Sequence, residues 1–330
     1  MFGITAQGNS ASLHVHNFTP YFYVKLDSQR APHFGPEDLQ GVRDALNKWV
    51  QGSAETTCTP VKAVELIVDK ASVMHYQADK AKFLKIYTGL PKYVNQLRTL
   101  FENGSFSYKG SNFFETTTFE SNLPYALRFM IDNEVVGMSW VRVKAGKYRE
   151  RIDKLCSTQI ELDVEDFNDI ECLPCEGDYS KIAPLRILSF DIECSADKGR
   201  FPQAQSDPII QIANIVKVHG EQEPLVRNVF TLNTCAPIVG AQVHSFHSEQ
   251  RLLQAWRDFL LEVDPDIITG YNIVNFDFPY IINRAAALHM TSYALFGRVR
   301  GTYSRIKTNT FSSKALGTRE TKDINMEGRV

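Results

Sequence analysis

A short hydrophobic segment with two acids on one face constrains this chain more than any other feature. Residues 186–194 read Arg-Ile-Leu-Ser-Phe-Asp-Ile-Glu-Cys. Side chains alternate between the faces of a strand, so Asp191 and Glu193 share one face while the apolar residues can be buried on the other. Burying unneutralised carboxylates is costly, which favours a divalent metal beside them. The same pattern is also typical of a strand that simply ends in solvent.

A second segment, residues 264–282, places another acid at the end of a strand. The apolar residues 267–269 predict a short strand, and Gly270 permits a tight turn after it. Pro279 favours the first turn of a helix. Asp277 is therefore predicted at a strand-to-helix junction, either as a plain helix N-cap or as part of a site.

Residues 181–330 predict an α/β domain with an RNase-H-like order of elements. A meander of three antiparallel strands is followed by a helix, a short strand and a second helix. The predicted ranges are strands 187–193, 209–219, 225–232 and 267–269, and helices at 248–263 and from Pro279. The apolar stripe of the 248–263 helix, which includes Trp256, predicts core packing.

Residues 1–180 predict a mixed, strand-rich α+β domain with no catalytic motif. Helices are predicted at 36–49 and 92–103, and strands at 13–16, 21–25, 127–131 and 139–143. The first two strands are predicted to form a hairpin, with Gly8-Asn9 as a turn. Residues 151–180 hold two basic and nine acidic residues and predict the domain boundary near residue 180.

The two acidic segments together resemble the 3′→5′ proofreading exonuclease domain of family B DNA polymerases. The Asp-x-Glu of residues 191–193 and the Asn-x-x-x-Phe-Asp of residues 272–277, which follows a Gly-Tyr turn, carry this resemblance. Further phrases are similar to the delta branch of that family and extend the resemblance from about residue 2 to 330; they lie at 17–23, 120–122, 128–132, 190–194, 207–212, 252–256 and 270–273.

The resemblance implies two-metal hydrolysis of DNA from a single-stranded 3′ primer end, with Mg²⁺ as the metal and Mn²⁺ as the alternative. Asp191 would contact both metals, Glu193 the metal that carries the attacking water, and Asp277 the metal beside the leaving group. Asn272 and Phe276 would help to seat the DNA end. They are equally well explained as loop and packing residues.

Residues 298–330 are basic, with eight basic and three acidic residues among small polar ones. Arg305, Lys307 and Lys314 are candidates for phosphate contact. A solvated surface loop is the alternative. In the family this region carries a β-hairpin that helps to separate primer from template.

The third exonuclease motif of the family, Tyr-x-x-x-Asp, is not found after Asp277. The candidate tyrosines Tyr280, Tyr293 and Tyr303 are followed at the fourth position by Arg, Gly and Lys. We therefore expect an incomplete exonuclease domain from a longer polymerase, without palm, fingers and thumb. The alternatives are a stand-alone RNase-H-like exonuclease and a non-catalytic fragment that binds DNA or a partner.

The composition adds few constraints. The net charge of −2 gives no overall basic field, and no apolar run reaches the roughly 18–20 residues that span a bilayer. Six scattered cysteines suit a reducing compartment. Cys172 and Cys175 have the spacing of half a zinc site, although loop cysteines explain them as well. The resemblance implies a nuclear protein with accessory polymerase subunits and a sliding clamp as partners.

Overall fold

The computed structural model describes residues 1–27, 33–53, 58–70, 80–313 and 317–330. The described residues fall into two compact units. The first unit comprises Met1–Val15, Ala145–Val164 and Pro174–Val330, and the second comprises His16–Lys144 and Glu165–Leu173. None of the described helices is long and apolar enough to cross a membrane.

The chain is strand-rich, as predicted. Its strands are β1 (Phe2–Ile4), β2 (Ser10–Val15), β3 (Tyr21–Leu26), β4 (Val61–Lys70), β5 (Ala81–Thr88), β6 (Phe114–Phe119), β7 (Val141–Val143), β8 (Arg149–Glu150), β9 (Ile160–Val164), β10 (Ile170–Cys172), β11 (Arg186–Cys194), β12 (Ile209–Val218), β13 (Val226–Leu232), β14 (Gln242–Phe246), β15 (Ile267–Thr269), β16 (Arg305–Ser313) and β17 (Gly317–Asn325). Its α-helices are α1 (Leu39–Ser53), α2 (Pro91–Glu102), α3 (Tyr125–Asp132), α4 (Glu249–Val263) and α5 (Asp277–Ala287).

A five-stranded sheet in the order β14-β13-β12-β11-β15 forms the centre of the first unit. Strands β11, β12 and β13 form the predicted antiparallel meander. Strand β15 pairs parallel to β11 along Ile187–Ser189, so no other described strand pairs on that side with the end of β11 that carries the two acids. Strand β14, which pairs parallel to β13, was not predicted.

Helix α4 supplies the largest side chain in the core of the first unit. Ser248 caps the helix by accepting a hydrogen bond from the backbone N–H of Arg251 at 3.3 Å. Trp256 is fully buried, its ring lies 5.1 Å from that of Phe190, and its indole N–H donates to Asn214 at 2.9 Å. The apolar stripe of this helix is therefore core packing, as predicted.

The first unit also contains a second sheet, in the order β1-β2-β9-β8. Strand β2 pairs antiparallel with β1 around the turn that contains Gly8, and parallel with β9. The predicted hairpin between residues 13–16 and 21–25 is wrong, because β2 pairs with β1 and β9 whereas β3 pairs with β5 and β6. Local alternation fixed the strands but not their distant partners.

The second unit contains a four-stranded antiparallel sheet in the order β4-β5-β3-β6. Helices α1 and α2 lie close to the predicted ranges and pack against the apolar face that includes Phe22, Leu84 and Ile86. The two-stranded sheet of β7 and β10 completes this unit.

The strand predicted at 127–131 is wrong, because these residues lie in helix α3. Pro124 occupies its N-cap position. Arg128 forms ion pairs with Glu120 and, one helical turn away, with Asp132, at 2.6 and 3.4 Å. A five-residue run that is apolar except for Arg128 does not distinguish a strand from one face of a short helix, so the flanking contacts decide.

A single cut near residue 180 does not separate the two compact units. Residues 1–15 and 145–164 contribute β1, β2, β8 and β9, which share one sheet within the first unit. The division into family domains at 1–180 and 181–330 stays a prediction.

Candidate active site

The site begins at the end of β11, where the predicted alternation of faces is confirmed. Leu188, Phe190 and Ile192 are buried in the core, whereas Asp191 and Glu193 are exposed. The buried residues hold the strand in register with β12, in which Asp191 lies opposite Ala213. The strand therefore presents two neighbouring carboxylates to solvent from a rigid support.

The loop after β15 passes very close to β11. A Cβ atom added at Gly270 would lie 2.5 Å from the carbonyl oxygen of Phe190, so only glycine fits there. Asn272 adopts a φ of 59° and its side-chain oxygen accepts a hydrogen bond from Asn275 at 2.8 Å. Its carbonyl oxygen accepts from the backbone N–H of Phe276 at 3.1 Å. The loop is thus closed by its own asparagines and delivers the chain to α5.

Asp277 is the first residue of α5, with Phe276 at the N-cap position, so it is not the helix N-cap. Its side chain is 1% exposed. The Oδ1 atom accepts a hydrogen bond from the backbone N–H of Ile192 at 3.0 Å. Ile192 lies between Asp191 and Glu193, so this bond brings the third carboxylate to the part of β11 that carries the other two.

The two exposed carboxylates act electrostatically on Asp277. Burial raises the pKa of Asp277, the negative charges of Asp191 and Glu193 raise it further, and the Ile192 N–H opposes this rise. Negative charge at this position therefore lacks full compensation from the protein. A bound cation would supply it.

The carboxylates are nevertheless not tightly clustered. Within the described part of the chain, they do not form a group of three whose ligand atoms all lie within 4.8 Å of one another. Two metals about 4 Å apart need ligands spread over a wider area than one ion does. The described carboxylates therefore do not form a closed site for one ion.

A buried ion pair fixes the helix that carries Asp277. Arg284 on α5 donates to both carboxylate oxygens of Glu249 on α4, at 2.9 and 2.7 Å. Glu249 also accepts from the backbone N–H of Ile209 at the start of β12, at 2.8 Å. Two helices and the sheet are thus tied together behind the site.

The loop between β11 and β12 adds an exposed aromatic ring that the sequence analysis missed. Asp207 accepts hydrogen bonds from Arg200 and from the backbone N–H of Gln203, both at 2.7 Å. These bonds shape the loop so that Phe201, 68% exposed, has its ring 5.4 Å from that of Phe276. The sequence signal that could have indicated this ring is a phenylalanine within a predicted loop, between Gly199 and Pro202.

The predicted DNA-contacting residues lie in different settings. Asn272 is exposed, and Phe276 is half-buried between Phe201 and Tyr280. Arg305 and Lys307 are exposed on β16, which forms an antiparallel hairpin with β17. The exposed setting of Arg305 and Lys307 is compatible with phosphate contact, whereas Lys314 lies outside the described residues.

Two other residues of the basic segment are buried. Arg298 donates to Asp264 and Asp266 at 2.8 and 2.6 Å, and Arg329 donates to Asp264 at 2.7 Å. Their charges are neutralised inside the first unit, so the basic count of residues 298–330 overstates the positive surface.

Cys172 and Cys175, which have the spacing of half a zinc site, are both free thiols.

Comparison with known proteins identifies the family. The pattern of the DNA polymerase family B exonuclease domain matches residues 116–330, and that of the N-terminal domain of DNA polymerase delta catalytic subunit-like proteins matches residues 17–95. The chain is 45% identical to the DNA polymerase delta catalytic subunit of Arabidopsis thaliana and 43% identical to that of Schizosaccharomyces pombe. Both matches cover the whole of this chain, which spans about 30% of the length of each of these relatives.

A solved structure supports the same assignment. The family B DNA polymerase of the hyperthermophilic archaeon Pyrobaculum calidifontis matches 92% of this chain and 32% of its own, with a TM-score of 0.61 and 28% identity. This similarity and the predicted resemblance agree on both the fold and the family. The chain belongs to the family B DNA polymerases, and its match covers their N-terminal and exonuclease part.

Proposed function

We propose that this chain is the part of a delta-like replicative DNA polymerase that removes nucleotides from the 3′ end of single-stranded DNA. The hydrogen bond from the Ile192 N–H to Asp277 carries the proposal, because it brings together the two sequence motifs that hold the three carboxylates, from residues 85 apart in the chain. In this proposal residues 1–180 form the N-terminal domain and residues 181–330 the exonuclease domain.

The donor set fits the proposed metals. Asp191, Glu193 and Asp277 offer only hard carboxylate oxygens, which suit Mg²⁺ or Mn²⁺. The uncompensated negative charge at Asp277 favours a cation in the same place. When bound, two such ions supply an activated water and positive charge beside the leaving 3′ oxygen.

The remaining side chains would position the DNA. Phe201 and Phe276 offer aromatic faces against which the terminal bases of a single strand can stack. Asn272 is exposed at the adjacent loop and can donate hydrogen bonds to the DNA end. Arg305 and Lys307 on the hairpin, and Lys314 by sequence, would contact phosphates away from the carboxylates.

The wider role follows from the relatives and is part of the same proposal. A delta catalytic subunit would act in the nucleus and would synthesise DNA with further polymerase domains. Accessory subunits and a sliding clamp would be its partners. The residues described here support the exonuclease step and the binding of single-stranded DNA.

Degradation of a 3′-labelled single-stranded oligonucleotide in Mg²⁺ tests the proposal. The 330-residue chain releases the label if its three carboxylates suffice without the third motif, and an Asp191→Ala, Glu193→Ala double variant should lose any such activity. Glu262→Ala, which removes an exposed acid on α4, is the matched control and should retain it.

A second readout does not depend on turnover. Mg²⁺ or Mn²⁺ should raise the melting temperature of the unaltered chain and of Glu262→Ala but not of the double variant, because a ligand that binds only the folded state stabilises it. Equal metal stabilisation of all three proteins, or activity that survives in the double variant, would contradict the proposed site.

A further inference from the structure

A second group of metal-ligand side chains lies in the first unit, away from the carboxylates of β11. His14, Cys156 and Glu161 place their ligand atoms within 4.8 Å of one another. They come from three segments: strand β2, the turn that precedes β9, and β9 itself. Strands β2 and β9 pair in parallel, which holds His14 and Glu161 on neighbouring strands.

The group is built into the protein rather than scattered over its surface. The side chain of Glu161 is fully buried and Cys156 is 2% exposed. Glu161 accepts hydrogen bonds from the backbone N–H groups of Leu155 and Cys156, at 3.0 and 3.2 Å. His14 contacts the same carboxylate at 2.7 Å and is partly open to solvent, which leaves a path for an ion.

Glu161 is held in its ionised form. Burial by itself would raise the pKa of this carboxyl, but the hydrogen bonds of His14 and of the Cys156 and Leu155 amides outweigh burial and lower it. A negative charge is therefore present where a thiol and an imidazole converge.

We propose that His14, Cys156 and Glu161 form a binding site for Zn²⁺ in which the protein supplies three ligands and water a fourth. A thiolate, a neutral imidazole and a carboxylate are the ligand types that zinc takes in proteins. On binding, the Cys156 thiol loses its proton to solvent, and the thiolate and the Glu161 carboxylate then balance the charge of the ion. Zinc–ligand distances of about 2.0–2.3 Å place neighbouring ligand atoms more than about 3 Å apart, so His14 Nε2, now 2.7 Å from Glu161, would move away from the carboxylate. His14 would bind the ion as a neutral imidazole and exchange its hydrogen bond to Glu161 for the metal.

The chemistry separates this site from that of β11. Sulfur and nitrogen ligands favour zinc, whereas three carboxylates favour Mg²⁺ or Mn²⁺.

The position of the proposed zinc site also suggests a structural consequence. The backbone N–H of Arg300 donates to the carbonyl oxygen of Leu155, and that of Ser157 donates to the carbonyl oxygen of Arg298, both at 2.8 Å. A zinc ion on Cys156 would therefore stiffen the segment that leads into the β16–β17 hairpin.

Zinc content and cobalt spectroscopy test the site in the 330-residue chain. We expect about one zinc per chain after purification without chelator, and about one Co²⁺ per chain after exchange. The cobalt form should show a near-ultraviolet sulfur-to-cobalt charge-transfer band, which a carboxylate site does not produce. Cys156→Ser should lose this band, and His14→Gln, which removes a ligand, should weaken metal binding by at least about 10-fold.

Cys172→Ser, Cys175→Ser is the matched control, because it removes the other closely spaced cysteines. Retention of the metal and of the band in this control supports the site, whereas their loss would assign the metal to Cys172 and Cys175 and overturn it. Should Cys156→Ser fail to fold, the titration of the unaltered chain still decides. Absence of both zinc and a cobalt–thiolate band in that chain would refute the proposal.

Discussion

Replacing Arg298 with methionine should destabilise the first unit strongly. Arg298 is 2% exposed and donates to the carboxylates of Asp264 and Asp266 and to the carbonyl oxygens of Asp264 and Gly328. Methionine preserves much of the side-chain volume but removes every one of these bonds.

The size of the effect follows from what the substitution leaves behind. Breaking a buried ion pair by removing one partner costs about 3–5 kcal/mol, because the other charge stays buried. Asp264 would keep Arg329 at 2.7 Å, and Asp266 would keep the backbone N–H of Arg186 at 2.8 Å. Because each acid retains one partner, we expect a loss near the lower limit, about 3 kcal/mol.

The loss should depend on pH in a defined direction. Burial alone would raise the pKa of Asp264, but Arg298 and Arg329 outweigh burial and lower it in the folded protein. A lowered folded pKa stabilises the fold above the unfolded value of about 3.9, and this stabilisation is lost as the pH falls through the folded pKa. The difference between the variant and the unaltered chain should therefore shrink below about pH 4.

Urea unfolding of both proteins at several pH values measures this difference. Arg305→Met, which removes an exposed arginine from β16, is the matched control and should change the free energy of unfolding by less than about 0.5 kcal/mol. A loss for Arg298→Met no larger than that of the control would refute the argument. So would a loss that stays constant between pH 7 and pH 3.

Three further variants probe the proposed active site and the hairpin. Asp277→Asn should abolish metal-dependent degradation of DNA without lowering the melting temperature. Asparagine still accepts the hydrogen bond from the backbone N–H of Ile192, while a buried charge is removed. A lowered melting temperature would contradict this reasoning. Gly270→Ala should lower the free energy of unfolding in urea by about 1–3 kcal/mol, because its Cβ atom would collide with the carbonyl oxygen of Phe190 in β11. Gly52→Ala is the control, because Gly52 has open space around it and its replacement should not lower this free energy. Equal losses for the two variants would contradict the collision. Replacing Arg305 and Lys307 with glutamine should weaken single-strand binding in a fluorescence anisotropy titration and reduce the slope of log affinity against log salt by about 1.4, and an unchanged slope would exclude phosphate contact.

The periodic elements of the first unit could be predicted because their burial is periodic. The apolar stripe of α4 and the alternation in β11 each describe one face against a core, so the sequence contains the signal directly. The short connection between β12 and β13, with Gly220 and Pro224, is likewise typical of a turn. These features are local, and local sequence is sufficient for them.

The errors have a common physical origin. The 127–131 run is too short to distinguish strand from helix, and ion pairs of Arg128 decide in favour of α3. Strand β2 was predicted as a strand, but its partners β1 and β9 include a segment about 150 residues away. Pairing of distant strands depends on the whole packing arrangement and is not written in either strand alone.

The basic segment shows the same limit for charge. Arg298 and Arg305 are equivalent in the sequence, yet the first is buried in an ion-pair network and the second is exposed on a hairpin. A count of charges therefore predicts a surface field only after burial is known. Phe201 was missed for the converse reason, because exposure of an aromatic ring leaves no periodic pattern.

The amino-acid sequence by itself determined the family, the strand that presents Asp191 and Glu193, and the junction that carries Asp277. Each of these rests on residues that are close together in the chain, either in a motif or in the alternation of buried and exposed side chains. Only the tertiary structure decided that Asp277 binds the N–H between those two acids, and that His14, Cys156 and Glu161 converge. Both arrangements join residues far apart in the chain. Their proximity results from packing of strands and helices, which no single segment encodes.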